Sequence, residues 1–246
     1  MRMTIHNGRA GKNGTYSPKH NDRNFDISSA EHIDPERMPG NVYWNWTGKK
    51  DISFEDCEKA FYEEHCRAHL DAVNQRHREQ RHPERVRDMD AYRTARQTCP
   101  EETLFMIGNQ DEHLPPKTLR AICERLKDWE ENTVSGLKVL DFALHVDEQG
   151  APHIHMRRAW IYRDENNVES ISQSKALQAA GIPLPHPDKP AGRTLLAQRL
   201  KKCTYILTPG GLTDKQRLSS ELVRQSFYLS CGVVCGRLGG ALRHSP

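Results

Sequence analysis

The sequence predicts an α+β protein in which helices flank a central antiparallel β-sheet. An apolar, alternating run at residues 137–144, a polar turn at 148–152 and a second apolar run at 159–162 predict two antiparallel strands joined as a hairpin. Apolar residues recur at helical spacing in residues 53–81 and again in residues 118–132. A chain that combines such strands and helices is typical of a sheet covered by helices.

The remaining elements follow in chain order. Residues 1–24 place basic side chains among glycines and asparagines, which predicts a flexible arm able to follow a phosphate backbone. A solvated terminus is the alternative for residues 1–13. Residues 104–108 predict a short buried strand, and residues 172–180 predict a helix that stops at Gly181.

The domain organisation is predicted from a change in composition. Residues 1–182 are expected to form one domain, and the proline-rich residues 183–195 form a stiff linker. Residues 196–246 are partly apolar and glycine-rich, contain cysteines and show no heptad pattern. We interpret this uncertain C-terminal tail as an atypical, truncated segment.

Composition excludes several classes of protein. Of the 246 residues 36% are hydrophobic and 28% are charged, and no apolar run approaches the roughly 20 residues that span a bilayer. The seven cysteines are scattered without a Cys-x-x-Cys pair, which gives a zinc ribbon little support. No leader for export is recognisable, so we expect a soluble, cytoplasmic protein. The net charge of +3 is too small to indicate nucleic acid by itself.

The predicted hairpin carries three histidines that can share one metal ion. His153 and His155 are two apart on a strand and therefore face the same side, while a turn centred near residue 149 places His145 opposite His153. Three neutral nitrogen ligands with open positions suit a catalytic divalent ion. Asp147 and Glu148 could orient an imidazole or act as weak extra ligands. The alternative is three histidines without a metal.

Two motifs resemble those of a known family. The first resembles the His-hydrophobe-His motif of the MobV (Pre/Mob) plasmid mobilisation relaxases, a branch of the HUH endonucleases, and reads His145-x-Asp147-Glu148-x-x-Pro152-His153-x-His155. The second resembles the other signature of the family in kind, order and spacing, and comprises Lys19-His20-Asn21-Asp22-Arg23 with residues 33–37 and 41–44. The resemblance covers about residues 1–175.

The resemblance implies an activity and a set of partners. Relaxases of this family nick one strand of plasmid DNA at an origin of transfer and later rejoin it, with Mn²⁺ or Mg²⁺ as cofactor. It therefore implies single-stranded origin DNA as the substrate, bacterial conjugation coupling proteins as partners and a homodimer as an oligomeric state. The nick leaves a 5′-phosphate on the enzyme and a free 3′-hydroxyl.

The resemblance also assigns roles to individual residues. His20 is the implied nucleophile, because an imidazole attacks the scissile phosphate in the family and a phosphoramidate can be resealed. Arg23 would neutralise phosphate charge, and Glu148 would serve catalysis beside the metal ligands. Asn21 would orient the histidine ring or the DNA. Lys19, Asn21, Arg23 and Tyr43 form the expected DNA-binding set.

Four alternatives stay open. Tyr16 begins a Tyr-x-x-Lys sequence like that of the HUH rolling-circle replication initiators, although Pro18 would spoil the helix on which such a tyrosine lies. Tyr43 is a weaker rival as nucleophile. The chain could also be a DNA-binding remnant without catalysis, or a metal-dependent phosphodiesterase in which the three histidines activate water and His20 is incidental.

Overall fold

The computed structural model describes residues 3–9 and 17–181, so the predicted linker 183–195 and tail 196–246 lie outside the described residues. The described strands are β1 (Met3–Arg9), β2 (Val42–Asn45), β3 (Glu101–Ile107), β4 (Leu137–His145), β5 (His153–Arg163) and β6 (Glu169–Ile171). The described helices are α1 (Pro18–Asn21), α2 (Phe54–Glu79), α3 (Met89–Thr94), α4 (Pro116–Thr133) and α5 (Gln173–Ala179).

The strands pair antiparallel in the spatial order β1-β3-β5-β4-β2, and β6 pairs with the far end of β5. The predicted α+β fold with a central antiparallel sheet is confirmed. Helix α2 packs on one face of the sheet and α4 on the other, which gives three layers. The predicted boundaries of these two helices agree with the observed ones within a few residues.

Helix α2 begins where its sequence provides a cap. The side chain of Ser53 accepts a hydrogen bond from the backbone N–H of Asp56, at 3.0 Å, and thereby satisfies one of the free donors of the first turn. Acidic Glu55 and Asp56 lie in the first turn, and the basic residues 76–78 lie in the last. Charges of these signs at these ends interact favourably with the helix dipole, so they stabilise the first and last turns of α2.

The sheet buries a different apolar cluster on each face. The α4 face packs Leu119, Ile122 and Leu126 against strand residues that include Phe142 and Ile154. The α2 face packs a second cluster, formed by Phe61, Tyr62, Cys66, Leu70, Met89, Tyr92, Leu140, Ala159, Ile161 and Ile171. Both clusters include residues of β4 and β5, so this hairpin is the centre of the fold.

The hairpin has the predicted register. His145 pairs with His153, and Leu144 pairs with Ile154. Gly150 in the connecting turn has φ +114°, a conformation that side chains with a Cβ rarely adopt. The three histidines therefore project from one face of the sheet, as the alternation predicts.

Residues 3–9 differ from the flexible arm predicted for the N-terminus. They form β1, which pairs with β3 from Met3 opposite Ile107 to Arg9 opposite Glu101. This pairing satisfies backbone donors and acceptors along an edge of β3 that would otherwise be unpaired. Within residues 3–9 and 17–181, none of the helices combines the length and the apolar composition that crossing a membrane requires.

The packing of α4 gives the first prediction. Leu126 is fully buried, so Leu126→Ala leaves a cavity and lowers the free energy of unfolding by about 2–5 kcal/mol. Arg120→Ala on the exposed side of the same helix removes only a surface pair with Glu124 and costs less than about 0.5 kcal/mol. Urea denaturation of both variants measures the difference. Equal losses would show that α4 does not pack as described.

Candidate metal centre and active site

The three predicted ligand histidines lie together on the α2 face of the sheet. The ring centroid of His145 is 5.5 Å from that of His153 and 5.0 Å from that of His155, and the last two rings are 5.1 Å apart. All three residues are buried. Strand pairing thus brings the rings to one place, which is the first requirement for a shared ion.

Each of these rings has one nitrogen held by an oxygen of the protein, which fixes the ring orientation. The pairs are His145 Nε2 with the Asn21 carbonyl at 2.8 Å, His153 Nδ1 with the Ala151 carbonyl at 3.1 Å, and His155 Nδ1 with Glu102 Oε1 at 2.6 Å. Hydrogen bonds of this kind set the tautomer of a metal-binding histidine, because the opposite nitrogen is left with its lone pair.

The opposite nitrogens meet the chemical requirements of a divalent cation. His145 Nδ1 and His155 Nε2 are buried and have no hydrogen-bond partner. One ligand atom each from His20, His145, Glu148 and His155 lies within 4.8 Å of all the others. His153 is outside this tightest group, but its Nε2 lies 3.4 Å from Glu148 Oε2. The residues present therefore fit a metal ion with nitrogen and carboxylate ligands.

Burial keeps two of the imidazoles neutral. Loss of solvent lowers the pKa of His145 to about 4, and it lowers the pKa of His155 well below the ordinary value for histidine. Both rings are therefore uncharged at neutral pH. Neutral imidazole is the form that binds metals.

Glu148 lies at the centre of the cluster. Its Oε1 is 3.1 Å from His20 Nε2 and 3.4 Å from His145 Nδ1. Burial by itself would raise the pKa of Glu148, but contacts with His145, His153 and His20 outweigh it, so the pKa lies far below the usual range. The carboxylate is ionised and able to contact a cation or a ring N–H.

His20 reaches the cluster from the other end of the chain. Pro18 starts the short helix α1, at the position where proline is tolerated, and His20 lies two residues later in the same helix. The ring centroid of His20 is 5.7 Å from that of His145 and 5.5 Å from that of His155. About a third of its side chain is exposed. The predicted nucleophile thus lies beside the predicted metal ligands, at the surface of the site.

Arg23 holds the two motifs together. Its guanidinium donates two hydrogen bonds to Asp147, at 2.7 and 2.9 Å, and one to Glu148 at 2.8 Å. It also donates to the backbone carbonyl of His20 at 2.9 Å. Its side chain is only 2% exposed, so the structure places Arg23 beneath the site. Direct neutralisation of a DNA phosphate by Arg23 stays a prediction.

The other predicted DNA-binding residues divide into buried and exposed ones. Asn21 is fully buried, and its side chain donates to Glu102 Oε2 at 3.1 Å. Lys19 is exposed and lies 3.3 Å from Glu55. Tyr43 is 42% exposed. Tyr16, the alternative nucleophile, lies outside the described residues.

Two residues of the site were given no role by the sequence reasoning, although Asn41 belongs to the second motif. Glu102 is buried and accepts hydrogen bonds from both His155 and Asn21, and burial raises its pKa to about 7 against the opposing effect of Arg157. Asn41 donates to Asp147 at 2.8 Å and accepts from the N–H of Val146. A glutamate at the start of a strand and an asparagine before another carry no local signal for these contacts.

Comparisons with known proteins give the following findings. No protein-family profile matches the chain, and no curated protein matches it. Solved structures that resemble it include chains described as the MobM relaxase domain (MOBV; Mob_Pre), Mn-bound and bound to plasmid pMV158 oriT DNA. One is 17% identical with a TM-score of 0.47 and covers 89% of this chain and 97% of its own.

Two further chains of the same domain are 22% and 19% identical, both with a TM-score of 0.43. Each match covers 68% of this chain. It covers 73% of the neighbour that is 22% identical and 74% of the neighbour that is 19% identical. Such identities and scores are too low to assign a function to this chain, so the proposed function rests on the residues of the site. MobV is also the family that the two sequence motifs resemble.

The arrangement of ligands predicts how metal affinity depends on single residues. His155→Ala removes a nitrogen ligand and is expected to weaken Mn²⁺ binding by more than about 100-fold, and His153→Ala is expected to do the same. Isothermal titration calorimetry with MnCl₂ measures the affinity. His82→Ala is the control and keeps the affinity of the unmodified protein, because His82 lies beyond the C-terminal end of α2, which is the end away from the cluster. Unchanged affinity in His155→Ala would remove the proposed metal centre.

Glu102 gives a separate prediction. Glu102→Leu keeps the volume but removes the acceptor that orients His155, and we expect about 10- to 100-fold weaker Mn²⁺ binding. Glu130→Leu is the matched control, because Glu130 is also a buried carboxylate but lies on α4, where it contacts Arg158 at 3.2 Å. Equal loss of affinity in both variants would indicate a general effect on folding and not an effect on His155.

Proposed function

We propose that this chain is a relaxase of the MobV type, a metal-dependent enzyme that nicks and rejoins one strand of plasmid DNA at an origin of transfer. One observation carries the proposal: His20 lies against the three-histidine cluster and 3.1 Å from Glu148, although 124 residues separate it from His145. About a third of the His20 side chain is exposed, so this imidazole is accessible to a phosphodiester at the surface of the site. The implied coupling-protein contacts and homodimer stay predictions.

The cluster supports a metal-assisted reaction on a phosphodiester. His145, His153 and His155 would hold Mn²⁺ or Mg²⁺, with Glu148 beside them. When bound, the ion would polarise the scissile phosphate and stabilise negative charge on its oxygens. Mn²⁺ or Mg²⁺ is implied by the family resemblance, since three imidazoles would also accept other divalent ions.

His20 would perform the covalent step. The lone pair of one ring nitrogen forms a bond to phosphorus, and the bond between phosphorus and the 3′ oxygen breaks. The proton on the other ring nitrogen is released, and the 3′ oxygen takes up a proton to become a free hydroxyl. The product is a 5′-phosphate linked to nitrogen, and the reverse reaction with a 3′-hydroxyl rejoins the strand without an external energy source.

Glu148 and Arg23 would position His20 for this step. The Glu148 carboxylate lies beside Nε2 of His20 and can accept a hydrogen bond from a ring N–H there, which would orient the ring and stabilise the positive charge that develops on it. The Arg23 guanidinium is bonded to the carbonyl of His20 and to Glu148, so it fixes the distance between the nucleophile and this carboxylate. The two residues give the imidazole a defined orientation before DNA arrives.

The proposal predicts an acid-labile protein–DNA adduct. Labelled single-stranded DNA from the origin region of the plasmid that carries the gene is incubated with the protein and Mn²⁺, and the adduct is resolved on a denaturing gel. His20→Ala is expected to abolish the adduct, because the attacking nitrogen is gone. Tyr16→Phe is the control and keeps it. A phosphorus–nitrogen bond is hydrolysed by mild acid, whereas a tyrosine ester is not.

Other outcomes of this assay select the alternatives. An acid-stable adduct that is lost in Tyr16→Phe indicates a replication initiator that uses tyrosine. Cleavage without any adduct indicates a phosphodiesterase, and binding of DNA without cleavage indicates a protein that has lost catalysis. Each of these results contradicts the proposed histidine intermediate.

A further inference from the structure

A cavity of about 740 Å³ lies next to the candidate active site, between the end of β2 and the start of α2. Its lining includes Arg23, Tyr43, Lys49, Lys50 and Phe54. Pockets of this size hold small molecules or single nucleotide units. Of these lining residues, the proposed covalent step uses Arg23 alone.

Tyr43 lines this cavity and is exposed. Among the side chains whose exposure the structure describes, Phe25 and Tyr43 are the large hydrophobic ones that stay exposed, at 37% and 42%. Both are close to the nucleophile: Phe25 stacks on His20, with ring centroids 6.0 Å apart, and Tyr43 lines the cavity beside Arg23. Exposed aromatic rings at a functional site mark a surface that binds a partner.

The Tyr43 ring is held rigidly. Its hydroxyl accepts a hydrogen bond from Asn41 Nδ2 at 3.1 Å, and its ring meets the ring of Phe54 edge to face at 6.2 Å. The same Asn41 amide donates to Asp147 at 2.8 Å. A ring fixed at two points loses little conformational entropy when a flat ligand stacks on it. Tyr43 therefore has the properties of a preformed stacking surface.

The charge of the cavity favours a nucleotide. Lys49 and Lys50 are exposed on the loop that borders it. The lining also contains the carboxylates of Asp22 and Asp51, so three cationic side chains face two anionic ones. Asp22 accepts hydrogen bonds from the N–H groups of Phe54 at 2.7 Å and of Asn24 at 3.1 Å. An aromatic face beside lysines is the combination that binds unpaired bases and their phosphates.

Hydrogen bonds connect this cavity to the nucleophile. Asn41 contacts both Tyr43 and Asp147, Asp147 is bound by Arg23, and Arg23 is bound to the carbonyl of His20. A group bound on Tyr43 is thus held at a fixed position relative to His20. For a strand that passes His20, this position corresponds to a nucleotide close to the phosphate under attack.

We propose that this cavity is a binding site for one unpaired nucleotide next to the scissile phosphate, with its base stacked on Tyr43. The proposal rests on the proposed function and adds a specific subsite to it. Stacking of one base would separate it from its neighbours and would fix the register of the strand at the nucleophile.

The test uses a single-stranded oligonucleotide that the unmodified protein cleaves, so the proposed function is established before the subsite is examined. Binding is measured by fluorescence anisotropy in EDTA, which prevents cleavage. Tyr43→Leu is expected to bind this oligonucleotide about 5- to 100-fold more weakly, the range for loss of one aromatic–base stack. Tyr43→Phe keeps the ring and is expected to keep the affinity.

A set of oligonucleotides with one abasic residue at successive positions locates the base. At one position near the cleavage site, the missing base is expected to weaken binding by the unmodified protein as much as Tyr43→Leu does, and to cause no further loss in Tyr43→Leu. Tyr162→Leu is the matched control, because Tyr162 lies near the other end of β5, and it is expected to bind every oligonucleotide as the unmodified protein does.

Two results would overturn the subsite. Tyr43→Leu could bind the intact oligonucleotide as tightly as the unmodified protein. Alternatively, its loss could add to the loss from the abasic residue at every position, which would mean that Tyr43 holds no base. Either result would leave the nicking activity of the unmodified protein intact, so the subsite can fail while the proposed function stands.

Discussion

The ion pair of Arg23 with Asp147 and Glu148 is the interaction on which the site depends. It joins two segments that are 124 residues apart, and both the guanidinium and the Asp147 carboxylate are almost fully buried. Removing one partner would leave an unpaired buried charge, at a cost of about 3–5 kcal/mol. Arg23 has φ +58°, an unusual backbone conformation for a residue with a side chain. The strain is tolerated because three acceptors hold the guanidinium.

The residue types on one face of the β4–β5 hairpin change along its length, and this change leaves room for a site at one end. At the turn end the face carries the three histidines. In the middle Arg157 binds Asp141 and also Glu58 from α2, and at the far end the residues are apolar and pack under α2. Helix α2 begins at Phe54 and thus leaves the histidine end free of it. Short helix α1 lies beside this end instead and brings His20 to it.

The parts of the fold that depend on local sequence could be predicted. The histidine register follows from the two-residue period of a strand and a turn at Gly150, and α2 follows from helical spacing and a cap. Contacts between distant segments could not be predicted in the same way. Strand β1 forms because it pairs with β3. Strand β3 begins at Glu101, three residues before its apolar run, and this longer strand includes Glu102 and brings it to the site. Neither contact has a signal within its own segment.

The N-terminal motif illustrates why a motif residue and a catalytic residue are different things. Of its five positions, Lys19 is exposed and His20 and Asp22 are half-buried, whereas Asn21 and Arg23 are buried. The Asn21 side chain donates to Glu102, which also contacts His155, and Arg23 holds the Glu148 carboxylate beside His20. Loss of either buried residue would therefore disturb both halves of the site. In the described structure the motif joins two distant parts of the chain, and the proposed covalent step uses its imidazole.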